Sequence, residues 1–263
     1  MKILELDGMV KRFDLNGRKN KQKYVEVLHG ISLHLNEGEI VGLVGASGSG
    51  KSTIANILVR ELNATSGKMF FKGKDVTKSK GKALKEYRKN VQMVFQDPYS
   101  SLDPTHNLEW HVRRPLILRH EKNVDQVIDE ILTELSLVPT AEFRRKMPYE
   151  LSGGLKQRAY VARALASGPS VLIADEPVSM LDASIKATIL ELFKKLRNDR
   201  HLSILYITHD LSTVNYITDR LYIIQDGNIV ESGKTSDVIN SPNHPYTKKL
   251  IEAAPDPYKR IVP

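Results

Sequence analysis

Between the apolar run Ile40–Val44 and a helix-like run beginning at Ser52, the chain reads GASGSGKS, Gly45 to Ser52. A buried strand that ends, turns through glycines and re-emerges as a helix belongs to an α/β sheet. The spacing is that of a phosphate-cradling loop, G-x-x-x-x-G-K-[ST]. Its glycines let successive backbone N–H groups turn inward around phosphate oxygens. Gly45, Ala46, Ser47, Gly48, Ser49, Gly50, Lys51, Ser52 and Thr53 are therefore the candidate triphosphate-binding residues. Lys51 is placed to reach the outer phosphates and the Ser52 hydroxyl to ligate Mg²⁺.

A second apolar run, VLIADEP, ends in adjacent carboxylates. Asp175 at the end of a buried strand suits the Mg²⁺ shell. Glu176 follows where the strand stops and suits the work of orienting or deprotonating a water. Along a continuing strand the two would point to opposite faces, so this reading requires the chain to turn there.

Short apolar strands alternating with helical patterns predict a mixed sheet. Core strands are expected at Ile40–Val44, Val91–Phe95, Val171–Ala174 and Ile204–Ile207, with a hairpin turning at Asp226-Gly227. ILELDGMVKRF and the stretch around KMFFKGKDV read as antiparallel strands beside that core. From about 97 to 166 the pattern becomes helical. Val124, Val127, Ile128, Ile131, Leu132 and Leu135 recur at helical spacing on one amphipathic helix. One domain over 1–263 is expected, with a tail over about 241–263.

The 263-residue chain has no cysteine, which excludes disulfides, thiolate metal sites and iron–sulfur clusters. Its apolar runs stop well short of the roughly 20 residues that cross a bilayer, and its start lacks an apolar signal region. A soluble cytoplasmic chain is expected. The formal charge is +8, with one local excess at KRFDLNGRKNKQK, which reads as a solvated loop rather than a nucleic-acid site.

LSGGLKQR, Leu151 to Arg158, places two glycines at the start of an otherwise strong helix. Glycine costs a helix roughly 1 kcal/mol against alanine, but at a helix start it allows close approach to the free N–H groups, which suit an anion. Between the loop at Gly45–Ser52 and the acidic strand, LSGG resembles the signature sequence of ATP-binding cassette ATPases. Gln96 in VFQDP resembles that family's Q-loop glutamine, Asp182 in SMLD its D-loop, and His209 in YITHD its switch histidine. The resemblance implies a P-loop NTPase with a RecA-like core sheet, an N-terminal antiparallel β subdomain and a helical subdomain. It implies ATP and Mg²⁺ as ligands, with Ser52, Gln96 and Asp175 at the metal and Glu176, His209 and Gln96 in catalysis. It also implies that Ser152, Gly153 and Gly154 act in trans, capping the γ-phosphate held by a second cassette. Leu155 departs from the glutamine often found after the two glycines. For the adenine, the family uses an aromatic residue in its first strands. Phe13 fits by position within the strand and Tyr24 by distance to the loop; Phe13 is preferred.

The resemblance further implies the ATPase subunit of an importer, peripheral on the cytoplasmic face of the cell membrane. Its partners would be a second cassette (a copy or a homologue), two permease subunits and, indirectly, an extracytoplasmic solute-binding protein. No nucleic acid is expected. The alternatives are an accessory cassette of phosphonate metabolism or a non-transport cassette ATPase. The ending SPNHPYTKKLIEAAPDP, with QDPYSSLDP and DEPVSMLDAS, resembles the oligopeptide and dipeptide importer subfamily. Lys51→Ala is expected to abolish both ATP binding and turnover; near-normal ATPase activity in the variant would overturn the assignment of the loop.

Overall fold

The computed structural model describes residues 1–14, 24–95 and 102–253. At its centre β3 (Ile40–Val44), β6 (Val91–Val94), β7 (Val171–Asp175), β8 (Ser203–Thr208), β9 (Arg220–Gln225) and β10 (Asn228–Lys234) form one sheet. Its strand order is β10-β9-β3-β8-β7-β6, parallel throughout except for the edge hairpin β9–β10. Every residue of β3, β7 and β8 is buried, as expected of strands covered on both faces. Asp226 and Gly227 both have positive φ, 45° and 73°, the backbone a two-residue hairpin turn requires.

The expected core strands are present, with one correction. The strand read as ending at Phe95 stops at Val94. Phe95 leaves the sheet, is 40% exposed and stacks on Tyr160, ring centroids 6.4 Å apart.

A second, antiparallel sheet has the order β2-β1-β4-β5, from β1 (Lys2–Asp14), β2 (Tyr24–Asn36), β4 (Ser66–Phe71) and β5 (Lys74–Asp75). The strand at β2 is not among the expectations above. Its pairing with β1 is interrupted by register shifts, including those at Met9/Val10 and Lys11/Arg12, which break the period-two alternation that marks a strand in sequence.

The central sheet separates two cores. Ile40 and Val44 face one way and Val41 and Leu43 the other, as strand alternation dictates. The second side packs against the antiparallel sheet and α1 (Lys51–Leu58). The first packs against α6 (Gly153–Ala166), α7 (Ala183–Arg200) and α8 (Leu211–Ile217). It continues into the helical region formed by α3 (Leu108–Leu118), α4 (Val124–Glu134) and α5 (Thr140–Arg145). Helix α2 (Gly81–Asn90) leads into β6, and α9 (Thr235–Asn240) and α10 (Pro245–Ala253) follow β10. The amphipathic pattern from Val124 buries Ile128, Ile131 and Leu132, and Leu135, just past the helix end, is buried with them.

Phe193 on α7 has no exposed surface and lies in the first core. Phe193→Ala is expected to cost about 3–5 kcal/mol through lost burial and the cavity left behind. Urea unfolding checks this, as a lowered midpoint with an unchanged slope.

Candidate active site

The glycine-rich loop joins β3 to α1, and Gly50 at the helix start has φ 105°. That backbone is open to glycine, and a Cβ there would also lie 2.7 Å from Leu28 Cδ2 on β2. The loop is propped from outside, since the Gly227 N–H in the β9–β10 turn donates to Ser49 O at 3.1 Å. Lys51 is only 6% exposed. Its Nζ donates to Gly45 O and Ala46 O, both at 2.8 Å, curling the loop around its ammonium. Burial holds the Lys51 pKa below the usual lysine range, against the upward pull of the nearby Glu176 and Asp175 carboxylates. Gly45 and Ser49 are buried, Ala46, Ser47, Gly48 and Ser52 are exposed, and Thr53 is half-buried.

Sheet order brings the acids to this loop. β8 lies between β3 and β7, and the registers Val44↔Thr208 and Asp175↔Ile207 bring the three strand ends nearly level. Asp175 ends β7, 7% exposed, and burial raises its pKa above the ordinary carboxyl range. The Ser52 hydroxyl hydrogen-bonds this carboxyl group and works against that rise. Asp175 Oδ1 is buried with no hydrogen-bond partner. A buried carboxylate oxygen left free beside a serine hydroxyl is the oxygen-donor set a hard divalent cation takes, so these residues fit Mg²⁺. The buried lysine and exposed loop amides beside them fit a polyphosphate.

Glu176 provides the turn that two carboxylates on one sheet edge require. Its φ is 51°, a left-handed backbone that costs a non-glycine residue about 1–3 kcal/mol. Both carboxylates thereby reach the same edge of the sheet. The Glu176 N–H donates to Ile207 O at 2.8 Å, and the Ser179 hydroxyl donates to Glu176 O at 3.0 Å. Glu176 Oε1 lies 2.7 Å from His209 Nδ1, and the Thr208 hydroxyl donates to Oε2 at 3.4 Å. His209 itself is well exposed. Thr208 and His209 both derive from the end of β8, so the strand beside the acidic one holds the acid.

A cavity of about 510 Å³ is lined by Ala46–Gly48, Gly50–Thr53, Glu176, His209 and, from β2, Val27. Val27 belongs to no motif, and nothing in the sequence pattern singles it out. Neither Phe13 nor Tyr24 lines the cavity. The pairs Phe13↔Val25 and Asp14↔Tyr24 put the two aromatics on opposite faces of their sheet. Phe13 shares its face with Lys11, which pairs with Leu28, the residue packed beneath Gly50. Tyr24 lies on the other face, 53% exposed, beneath the Arg12 guanidinium. Gln96 lies outside the described residues, as do the basic stretch 15–23 and the tail from 254.

No residue of Leu151–Arg158 lines this cavity either. Ser152 caps α6 and is exposed, and its side chain makes no capping bond. The first turn of this 14-residue helix carries no acid, so its N–H groups and positive dipole end stand without a counter-charge of their own. Gly154 is buried, and a Cβ there would sit 2.6 Å from Ile185 Cγ2 on α7. One glycine of the pair is thus explained by packing. Gly153 is half-buried at the helix start. Asp182 caps α7, with its side chain exposed and its carbonyl accepting from the Lys186 N–H at 2.8 Å.

Comparison with known proteins gives two family matches. Residues 28–179 match the model described as ABC transporter, and residues 230–262 the model described as oligopeptide/dipeptide transporter, C-terminal region. The oligopeptide transport ATP-binding protein OppF of Streptococcus mutans is 39% identical over 252 residues, spanning 94% of this chain and 81% of the relative. AppF of Bacillus subtilis, also an oligopeptide transport ATP-binding protein, is 38% identical over 98% of this chain and 80% of its own length. Among solved structures, a dimeric post-hydrolysis state of the ATP-binding cassette MJ0796 with ADP and Pi superposes with a TM-score of 0.75. It is 27% identical and covers 88% of this chain and 98% of that one.

Proposed function

This chain belongs to the ABC transporter family of ATPases, and from that premise we propose how its residues divide the work and what cargo it serves. The chain hydrolyses ATP to drive transport. Our reading is that the cargo is an oligopeptide or dipeptide, taken up through permease subunits that this cassette joins at the cytoplasmic face of the membrane. The match of residues 230–262 to the peptide-importer C-terminal region supports that cargo. Among the described residues no helix is long and apolar enough to cross a membrane.

In this reading Gly45–Thr53 bind the triphosphate, with Lys51 turning a free N–H toward the β/γ oxygens. Ser52 and Asp175 would hold Mg²⁺, with Gln96 as the third residue that the family resemblance implies. When bound, the metal would supply neutralisation of charge on the transferring γ-phosphoryl group. Glu176 accepts a proton from the attacking water, and His209 holds the Glu176 carboxylate in position from 2.7 Å. Phe13, on the loop's side of its sheet, is favoured over Tyr24 for the adenine.

One observation carries the mechanism: the exposed N-terminus of α6, with Ser152 and Gly153, does not reach the cavity of its own chain. A helix start without counter-charge is suited to an anion, and here the anion is the γ-phosphate held by a second cassette. Ser152–Gly154 cap it, and Asp182 lies along the same junction. ATP then joins two cassettes and hydrolysis releases them. The dimeric cassette in the comparison supports this arrangement.

Glu176→Gln keeps the shape and the metal ligand Asp175 but removes the base. Hydrolysis is expected to fall about 10²–10⁴-fold, and the variant to accumulate as an ATP-bound dimer on size-exclusion chromatography, with its natural partner cassette if that is required. A variant that stays monomeric and hydrolyses normally contradicts this assignment. Gly153→Asp puts a carboxylate against the partner's phosphate. It is expected to abolish dimerisation and hydrolysis while a fluorescent ATP analogue still binds the monomer. Loss of binding by the folded monomer would mean that the signature serves its own chain's nucleotide.

A further inference from the structure

The tail reaches back to the nucleotide loop. The Tyr246 hydroxyl on α10 accepts a hydrogen bond from the Ala46 N–H at 2.9 Å, across 200 positions of sequence. Ala46 is also one of the two residues whose carbonyls hold the Lys51 ammonium. The same residue is therefore gripped on its N–H by the tail and on its C=O by the lysine.

The approach of Tyr246 is set by a built anchor. On β10, Glu231 accepts the Asn243 N–H at Oε1, 2.8 Å, and the His244 N–H at Oε2, 3.1 Å. His244 Nδ1 accepts the Tyr246 N–H at 3.2 Å, and His244 O accepts the Lys248 N–H, opening the helix. Pro245 occupies the first helical position, where a missing N–H costs nothing. Thr247 is fully buried, and Tyr246, Leu250 and Ile251 pack on the core. The members of His-Pro-Tyr thus contribute separately. The histidine fastens the turn, the proline starts the helix, and the tyrosine reaches the loop.

We propose that Tyr246 is a positioning residue for the ATPase site, setting through Ala46 the loop carbonyls that aim Lys51 at the phosphates. The peptide-importer tail is in this way part of the nucleotide site's framework. The inference rests on the reading of Gly45–Thr53 as the ATP loop.

Tyr246→Phe tests it on the full chain, because the ring and its packing remain and only the acceptor is lost. KM for ATP and the Kd of a fluorescent ATP analogue are expected to rise roughly three- to tenfold, the size of one lost hydrogen bond. The thermal midpoint and kcat should change little. That split separates positioning from a general loss of structure. Glu231→Gln, which weakens the anchor two steps away, is expected to raise KM in the same direction by a smaller factor. Unchanged KM and Kd in Tyr246→Phe would overturn the proposal, as would a fall in kcat that tracks a fall in stability. Failure of the underlying reading is distinguishable, since Lys51→Ala would then also bind the analogue normally.

Discussion

A buried ammonium with carbonyls for company sets the terms for the rest of this site. Lys51 is withdrawn from water, and two of its three N–H donors go to Gly45 O and Ala46 O. Burying a cation without a paired carboxylate in direct contact is costly, and what offsets it is the shape of the loop. That shape requires the left-handed backbone at Gly50, the prop from the β9–β10 turn at Ser49, and close contact with Leu28. An anion placed at the loop would relieve the cost, so the energetics of the resting site favour an anionic ligand such as a polyphosphate.

The chemistry depends on which strand lies beside which. With β8 between the loop strand and the acidic strand, Thr208 and His209 arrive beside Glu176 rather than at a distant edge. Glu176 occupies a strained backbone held by its N–H bond to Ile207 O and by Ser179. Without that turn, Asp175 and Glu176 would lie on opposite faces, and the proposed division between metal and water could not be made from one strand end.

In the proposed reading two surfaces of the chain serve a phosphate, and only one of them lines the chain's own cavity. The loop and the acids close one site, while the start of α6 presents its N–H groups elsewhere. On that reading a lone cassette would be incomplete and the nucleotide would be the agent of assembly. The contact from Tyr246 adds a third participant, a tail segment held by Glu231 that touches the loop from outside.

Much of this was legible in the residues taken alone, because the relevant physics is local. Glycine spacing, a lysine and serine at a strand-to-helix junction, carboxylates closing an apolar run and an Asp-Gly turn each depend on a few neighbouring positions. The core strands and the amphipathic helix from Val124 follow from periodicity in the same way. What was not legible depends on partners far apart in sequence. Strand β2 hides because register shifts break its alternation. Val27 enters the cavity only through the stacking of one sheet on another, and the opposite faces of Phe13 and Tyr24 follow from pairing register. The bond from Tyr246 to Ala46 spans the chain. Local sequence determined which residues could do the chemistry; tertiary packing decided which of them meet, because no short window of sequence encodes a contact whose two sides are 200 positions apart.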